Sequence, residues 1–143
     1  MAANLVAAAI LNGLTFVLHA VGLVMLTRVM VLLAGPGTAG GYRRKLNAVL
    51  VVATGLLLLL CVEMAVWASF LVWVGAFPDF DTAFYFSTSA FATIGFGDVA
   101  PASDWRLLAS MEGVTGFLVI GWTAAYLVAS GIRFGPFERD MHF

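Results

Sequence analysis

One run of six residues has an unusual composition, in the order Thr93, Ile94, Gly95, Phe96, Gly97 and Asp98. A cation that leaves water must exchange its hydration shell for protein oxygens, and pores supply these oxygens as rows of backbone carbonyls. Successive carbonyls point the same way only if the backbone passes through conformations that most L-residues avoid. Gly95 and Gly97 enter positive φ at no steric cost, and Thr93 can add a hydroxyl oxygen. The run could therefore coordinate a dehydrated cation.

A glycine turn between two buried segments is the alternative interpretation of this run, because glycine is common in turns. The surrounding sequence favours ion coordination. An aromatic and Ser/Thr-rich segment, residues 82–92, precedes the run, and an apolar segment of membrane length follows it. A motif carries weight only where its expected structural context is present, and here both flanks fit.

The composition is that of a membrane protein. Of the 143 residues, 62% are hydrophobic and 10% are charged, against roughly 25% charged residues in soluble domains. Mean hydropathy is +1.02. The net charge of −1 gives no indication of a nucleic-acid partner, and the single cysteine, Cys61, cannot form an intrachain disulfide. The length allows one membrane domain.

Three segments are long enough to cross a bilayer, which takes about 20 apolar residues. They are predicted at Asn4 to Ala34, at about Leu46 to Ala76 and at about Trp105 to Ile132. A glycine- and proline-rich linker at residues 35–41 ends the first span, and a Gly-Pro pair at residues 135–136 closes the third.

Between the second and third predicted spans lies a segment too short to cross the membrane and too apolar for an ordinary loop. Pro78 breaks the preceding helix, and Asp79 or Asp81 can cap a new one over residues 82–92. This pattern predicts a re-entrant helix that ends at the run 93–98. Non-helical backbone is tolerated at membrane depth only where protein or water surrounds it, so other subunits must cover this loop.

The order of span, re-entrant helix, glycine run and span resembles the two-helix pore module of the tetrameric potassium channels. Their selectivity filter is Thr-Val-Gly-Tyr-Gly-Asp, and here Ile94 and Phe96 stand in place of Val and Tyr. The chain is more narrowly similar to small bacterial ion-channel proteins that add one helix before this module. The similarity continues past the filter through residues 105–113 and 116–122.

This resemblance implies an all-α membrane protein with three transmembrane helices, a re-entrant pore helix and a selectivity filter, in the tetrameric potassium-channel architecture. Residues 1–41 would form the additional N-terminal helix with its linker, and residues 42–143 the pore module. The expected elements of the module are an outer helix at about 46–76, a pore helix at about 82–92, the filter at 93–98, an inner helix at about 105–132 and a short cytoplasmic tail.

The resemblance also assigns site residues. The permeant K+ would bind to carbonyls of the filter residues Thr93, Ile94, Gly95, Phe96 and Gly97. Support for the filter or the outer mouth would come from Asp98, Ser89 and Glu112. Four inner-helix residues are expected to face the pore from their distance after the filter, namely Leu118, Gly121, Ala125 and Ala129. Glycines of this helix, such as Gly113 and Gly116, could instead pack helices closely, and Gly116 or Gly121 could act as a gating hinge.

Glu63 and Glu112 are the acidic residues inside the predicted spans, where ionisable groups are costly and so mark functional candidates. Neither has a basic partner in the spans. Glu112 lies about two turns into the inner helix, which predicts a hydrogen bond to the pore helix near Ser87 to Ser89 or to the filter backbone. A neutral acid that only bridges helices is the alternative. Glu63 could pack or snorkel, and His19 could be a hydrogen-bonded structural residue or a pH sensor.

Basic residues predict the orientation, because the positive-inside rule places them in the cytoplasm. Residues 43–45, Arg-Arg-Lys, lie between the first two spans, and Arg133 and Arg139 follow the third. The N-terminus and the pore loop would then lie outside and the C-terminus inside. Four acidic residues near the loop would either concentrate cations or only cap helices, namely Asp79, Asp81, Asp98 and Asp104.

The predicted function is that of a homotetrameric potassium-selective channel in the cell (inner) membrane, with passive K+ permeation and membrane lipid as a partner. No organic cofactor, nucleic acid or small-molecule substrate is expected. An enzyme is not expected, because no nucleophile has a plausible base and no histidine, cysteine and carboxylate cluster has metal-ligand spacing. A weakly selective cation channel and a non-conducting regulatory subunit of another channel are the alternatives.

Overall fold

The computed structural model describes residues 2–34, 41–134 and 136. Within these residues the chain is helical and has no strands. The elements in chain order are α1 (Ala2–Ala34), α2 (Tyr42–Trp73), α3 (Phe80–Phe91), a short 3-10 helix (Ser103–Trp105) and α4 (Arg106–Phe134). Three stretches are long and apolar enough to cross a membrane, namely Asn4–Leu33, Tyr42–Trp73 and Ser103–Phe134. The prediction of three membrane-length helices is confirmed.

The second helix begins and ends earlier than the predicted 46–76. Its end is a Schellman motif, in which Gly75 adopts φ 75°. The amide of Ala76 donates to the carbonyl of Leu71 at 2.9 Å, and the amide of Gly75 donates to the carbonyl of Val72 at 3.0 Å. Glycine at this position therefore ends the helix before Pro78 is reached. At the other end, the basic residues after Gly41 are good helix formers and extend α2 back to Tyr42.

The contacts divide the chain into two compact units. The first unit contains the residues up to His19 and Leu60–Ile120. Its core includes Trp67, Leu71, Phe91 and Leu108, all of which are fully buried or nearly so. Polar contacts join α1 to the rest of this unit: for example, the Trp67 indole donates to the Thr15 hydroxyl at 3.0 Å, and the Thr115 hydroxyl donates to the Asn12 side-chain oxygen.

The second unit contains Ala20–Leu59 and the residues from Gly121 onward. Its core is apolar and consists of Leu23, Met30, Ala48, Val49, Val52 and Leu56. Glycines bring α1 and α2 close together, because an added Cβ at Gly22 would meet the side chain of Leu59 and one at Gly55 would meet Leu26. Such small residues at helix contacts are typical of membrane helices.

Candidate functional site

The short helix α3 positions the glycine run, and Asp79 starts this helix. Asp79 is the N-cap in an extended conformation, φ −148° and ψ 163°. Its carboxylate accepts the amide of Thr82 at 2.8 Å and the hydroxyl of Thr82 at 2.9 Å. These two hydrogen bonds hold the pKa of Asp79 below its ordinary value of 3.8. Of the two predicted caps, the structure uses Asp79 and leaves Asp81 in the first turn.

Beyond α3 the backbone alternates through the left-handed region. Thr93 has φ 58°, Gly95 has φ 63° and Gly97 has φ 78°. Positive φ at the two glycines agrees with the sequence-based expectation, whereas positive φ at Thr93 was not expected. A β-branched residue rarely adopts this conformation, so the neighbouring contacts must hold it there. One of them is the hydrogen bond from the Thr93 amide to the carbonyl of Ala90 at 3.0 Å.

Ser89 is the residue that anchors the run to α3. Its carbonyl accepts the amides of Ile94 at 2.9 Å and Gly95 at 3.2 Å. Its hydroxyl accepts the amide of Phe96 at 3.2 Å. In a planar trans peptide the N–H and C=O groups point in opposite directions. Because three successive amides turn toward Ser89, the carbonyls of the three peptides that contain them turn away from it.

The side of the run that faces away from Ser89 is open within one chain. All six residues from Thr93 to Asp98 are exposed. The three outward carbonyls belong to Thr93, Ile94 and Gly95, which are three of the five residues predicted to bind the ion. The structure thus brings together a row of exposed carbonyl oxygens supported from one side by α3.

Tyr85 is a second support of the run, and it was missed at the level of sequence. Its hydroxyl donates to the Asp98 carboxylate at 2.8 Å, and its ring stacks on Phe96 with centroids 6.4 Å apart. The hydrogen bond to Asp98 raises the pKa of the Tyr85 hydroxyl above its ordinary value of 10.0. Tyr85 lies one helical turn before Ser89, so the spacing i, i+4 was the available signal that both face the run.

The α4 glycines lie against the end of α3. An added Cβ at Gly113 would lie 3.3 Å from the carbonyl of Ala90, and one at Gly116 would overlap the backbone of Phe91. Gly116 therefore packs directly against the end of α3, which is one of the two roles left open for it. Gly121 differs, because an added Cβ there would meet nothing within 4 Å among the described residues.

Glu112 is fully buried beside Ser87 of α3, in the layer predicted for it. The other two candidate hydroxyls are engaged elsewhere, since Thr88 donates to the carbonyl of Phe84 at 2.8 Å and Ser89 accepts from Phe96. Ser87 is the polar group that interacts with Glu112. Neither carboxyl oxygen of Glu112 forms a hydrogen bond with a described residue. The predicted hydrogen bond to the helix before the glycine run is therefore not formed, and the two side chains are only neighbours.

Glu63 has a basic partner, and the prediction that it has none was wrong. Its Oε1 lies 2.9 Å from Nδ1 of His19, and both side chains are fully buried. The pair lies one turn along both helices from the contact between Thr15 and Trp67, which also joins α1 to α2. The sequence alone could not pair them, because 44 residues separate them and the first and second helices had no predicted register.

The predicted pore-facing residues of α4 are all exposed within one chain, namely Leu118, Gly121, Ala125 and Ala129. Their spacing of three or four residues places them on one side of the helix. Bulky neighbours such as Phe117 and Trp122 are exposed as well, so this surface is wider than the four residues. Among the described residues no group of three or more His, Cys, Asp or Glu could hold a metal ion.

Comparison with known protein families gives a match over the middle of the chain. A family model described as "Ion channel" matches residues 55–131, which is more than half of the chain. The match begins within α2, includes α3 and the glycine run, and ends within α4. Helix α1 and the start of α2 lie outside it. Searches of curated proteins and of solved structures returned no match.

Proposed function

The chain belongs to the ion channel family, and from this premise we propose that it is a potassium-selective channel whose pore is formed by four copies. Membership of this family makes the chain a channel protein and not an enzyme. The observation that carries the proposal is the orientation of the run 93–98. Its amides are bonded to Ser89, and its carbonyls from Thr93 to Gly95 turn toward open space.

Four copies complete the site that one chain leaves open. One run offers oxygens from one side only, and a dehydrated K+ needs oxygens all around it. Closed symmetry around the ion turns each carbonyl of Thr93, Ile94, Gly95 and Phe96 into a ring. Neighbouring copies would also cover the non-helical backbone, as a re-entrant loop in hydrocarbon requires. K+ is the permeant ion here, and no organic cofactor is needed.

The remaining site residues support this pore. Ser89 holds the filter amides, and Tyr85 ties Asp98 to the pore helix. Glu112 is buried behind the same helix, beside Ser87. Leu118, Gly121, Ala125 and Ala129 would line the pore on the other side of the filter as a wide, apolar path.

The membrane topology follows from the basic residues. We propose a multi-pass protein of the cell (inner) membrane, with the N-terminus and the filter loop outside and the C-terminus in the cytoplasm. The positive-inside rule supports this orientation, since residues 43–45 and Arg133 would lie on the cytoplasmic side. Impermeant labelling of a cysteine introduced at Ala2 tests it, and protection in intact cells with reactivity after lysis would contradict it.

Ion flux into liposomes that contain only the purified protein tests the proposed function. K+ flux should exceed Na+ flux in the wild type. Gly95→Ala should abolish the K+ flux, because a Cβ is unfavourable at the positive φ of this residue. Gly13→Ala is the matched control, since an added Cβ at Gly13 meets nothing within 4 Å. Equal K+ and Na+ flux would indicate a weakly selective channel. Absence of flux from an assembled tetramer would indicate a non-conducting subunit.

A further inference from the structure

The second unit contains positive charges that have no carboxylate partner among the described residues. Its charged residues in 20–59 and 121–134 are all basic, namely Arg28, Arg43, Arg44, Lys45 and Arg133. In the described part of the chain the one close contact between a basic side chain and a carboxylate joins His19 and Glu63, so no described carboxylate pairs with these five residues.

A groove lies beside this charge, between the end of α1 and the first turns of α2. Its volume is about 440 Å³, and its lining residues are Leu32, Leu33, Arg44, Asn47, Ala48 and Val51. Four of these six residues are apolar. Leu32 is 76% exposed and Val51 is 47% exposed, so the described residues leave the apolar wall uncovered. The groove thus offers a long apolar surface with a polar end.

Arg44 is held in place at the groove. Its Nε donates to the carbonyl of Leu33 at 2.6 Å, and this carbonyl belongs to the last turn of α1, where no intrahelical donor is available. The bond fixes the guanidinium group and leaves its terminal nitrogens without another hydrogen bond to a described residue. A guanidinium group positioned in this way can bind a phosphate with two parallel hydrogen bonds.

We propose that this groove binds an anionic glycerophospholipid of the membrane, with its phosphate on Arg44 and an acyl chain along Leu32, Ala48 and Val51. The lining matches both parts of such a lipid, whereas a soluble phosphate would use only the polar end. A second copy of the chain fits less well. The same unit of a neighbouring copy would bring further basic residues and no described carboxylate.

The site is independent of ion conduction and of the family match. All six lining residues precede residue 55, where the match begins. A lipid bound there would contact α1 and α2 together, on both sides of the linker that joins them. The lipid would therefore stabilise the contact between the additional helix and the pore module.

Native mass spectrometry of the purified full chain in detergent tests the proposal. The probes are phosphatidylglycerol and phosphatidylcholine with identical acyl chains, together with soluble glycerol phosphate. Phosphatidylglycerol should bind more tightly than phosphatidylcholine. Arg44→Gln should weaken phosphatidylglycerol binding about fivefold, the effect of one basic residue on an anionic lipid. Arg43→Gln is the matched control, because it removes the same charge from the neighbouring residue outside the groove.

A third variant tests the apolar wall. Val51→Phe fills the groove without a change of charge, so it should weaken the binding of both lipids. Glycerol phosphate should displace neither lipid from the wild-type protein. Equal effects of Arg43→Gln and Arg44→Gln would show general surface attraction and overturn the proposal. Displacement by glycerol phosphate would show a free phosphate site. A changed number of chains in the complex of Arg44→Gln, with lipid binding unaltered, would show that a neighbouring copy occupies the groove.

Discussion

The first unit buries seven of the eight polar or charged side chains that are buried in the described part of the chain, whereas the second unit buries only Ser130. The seven are Thr15, His19, Glu63, Ser87, Ser89, Glu112 and Thr115. The first unit also contains the glycine run 93–98. The second unit packs its helices through leucine and glycine contacts instead.

This difference indicates in which unit the relative register of the helices is set by specific contacts. In a membrane, contacts between apolar helices favour one helix register only weakly over others, because lipid tails are as apolar as leucine. Buried polar groups are costly without partners, so they select one helix register. The unit that must hold carbonyls in a row therefore has the polar interior. Three predictions compare matched changes in the two units, and a fourth tests the cap of the helix that carries the run 93–98.

The largest effect is expected from the buried pair in the first unit. Glu63→Leu leaves His19 without its carboxylate, and such a loss costs about 3–5 kcal/mol of the free energy of unfolding. The counterpart in the second unit is Thr27→Val, which removes the half-buried hydrogen bond to Tyr126 and should cost about 1 kcal/mol. Unfolding with a denaturing detergent measures both.

The double variant His19→Leu with Glu63→Leu is the control for this prediction. Replacing both partners by apolar residues should restore part of the stability lost in Glu63→Leu, because the contact between the two side chains is then removed from both sides. If Glu63→Leu destabilised no more than Thr27→Val, the contrast between the two units would not hold.

The next effect concerns glycine packing. Gly116→Ala places a methyl group onto the backbone of Phe91, which cannot move without shifting α3, and should cost about 1–3 kcal/mol. Gly22→Ala in the second unit meets only the flexible side chain of Leu59. A gain in helix propensity of about 1 kcal/mol offsets much of that cost. If Gly116→Ala and Gly22→Ala lost equal stability, the two units would tolerate an added methyl group equally well, and the contrast would not hold.

A smaller effect is expected from two tyrosine hydroxyls. Tyr85→Phe keeps the ring on Phe96 and removes the bond to Asp98, so K+ flux should fall severalfold without vanishing. Tyr126→Phe removes the hydroxyl that contacts Thr27 in the second unit and should leave the ratio of K+ to Na+ flux unchanged. Liposome flux measures both variants. An unchanged flux in Tyr85→Phe would remove Tyr85 from the support of the filter.

The smallest effect comes from the exposed cap of α3. The folded protein holds the pKa of Asp79 below 3.8, so the carboxylate contributes stability above that pH and loses it as the pH falls through the lowered pKa. Asp79→Asn keeps an N-cap and removes the titration. The melting temperature of the wild type should therefore fall more than that of Asp79→Asn between pH 5 and pH 3. If the melting temperatures of the wild type and of Asp79→Asn fell equally with pH, the proposed stabilisation by the Asp79 carboxylate would be contradicted.

The sequence predicted the features that depend on local chemistry. Three apolar stretches of membrane length correspond to α1, α2 and α4, because length and composition alone decide whether a helix can cross a bilayer. Gly95 and Gly97 were expected at positive φ because glycine has no Cβ. The end of α2 was missed by a few residues, since Pro78 was given the role that Gly75 performs.

Only the tertiary structure decided the partners of the buried polar groups. His19 and Glu63 are 44 residues apart, and Thr15 and Trp67 are 52 apart. Neither pair has a local signal, because the register between two long apolar helices depends on packing along their whole length. The same holds for Gly116. A side chain is excluded there only because the end of α3 packs against this residue, which the sequence of α4 does not reveal. Local conformation follows from the chemistry of each residue, whereas contacts between distant residues depend on how the helices pack.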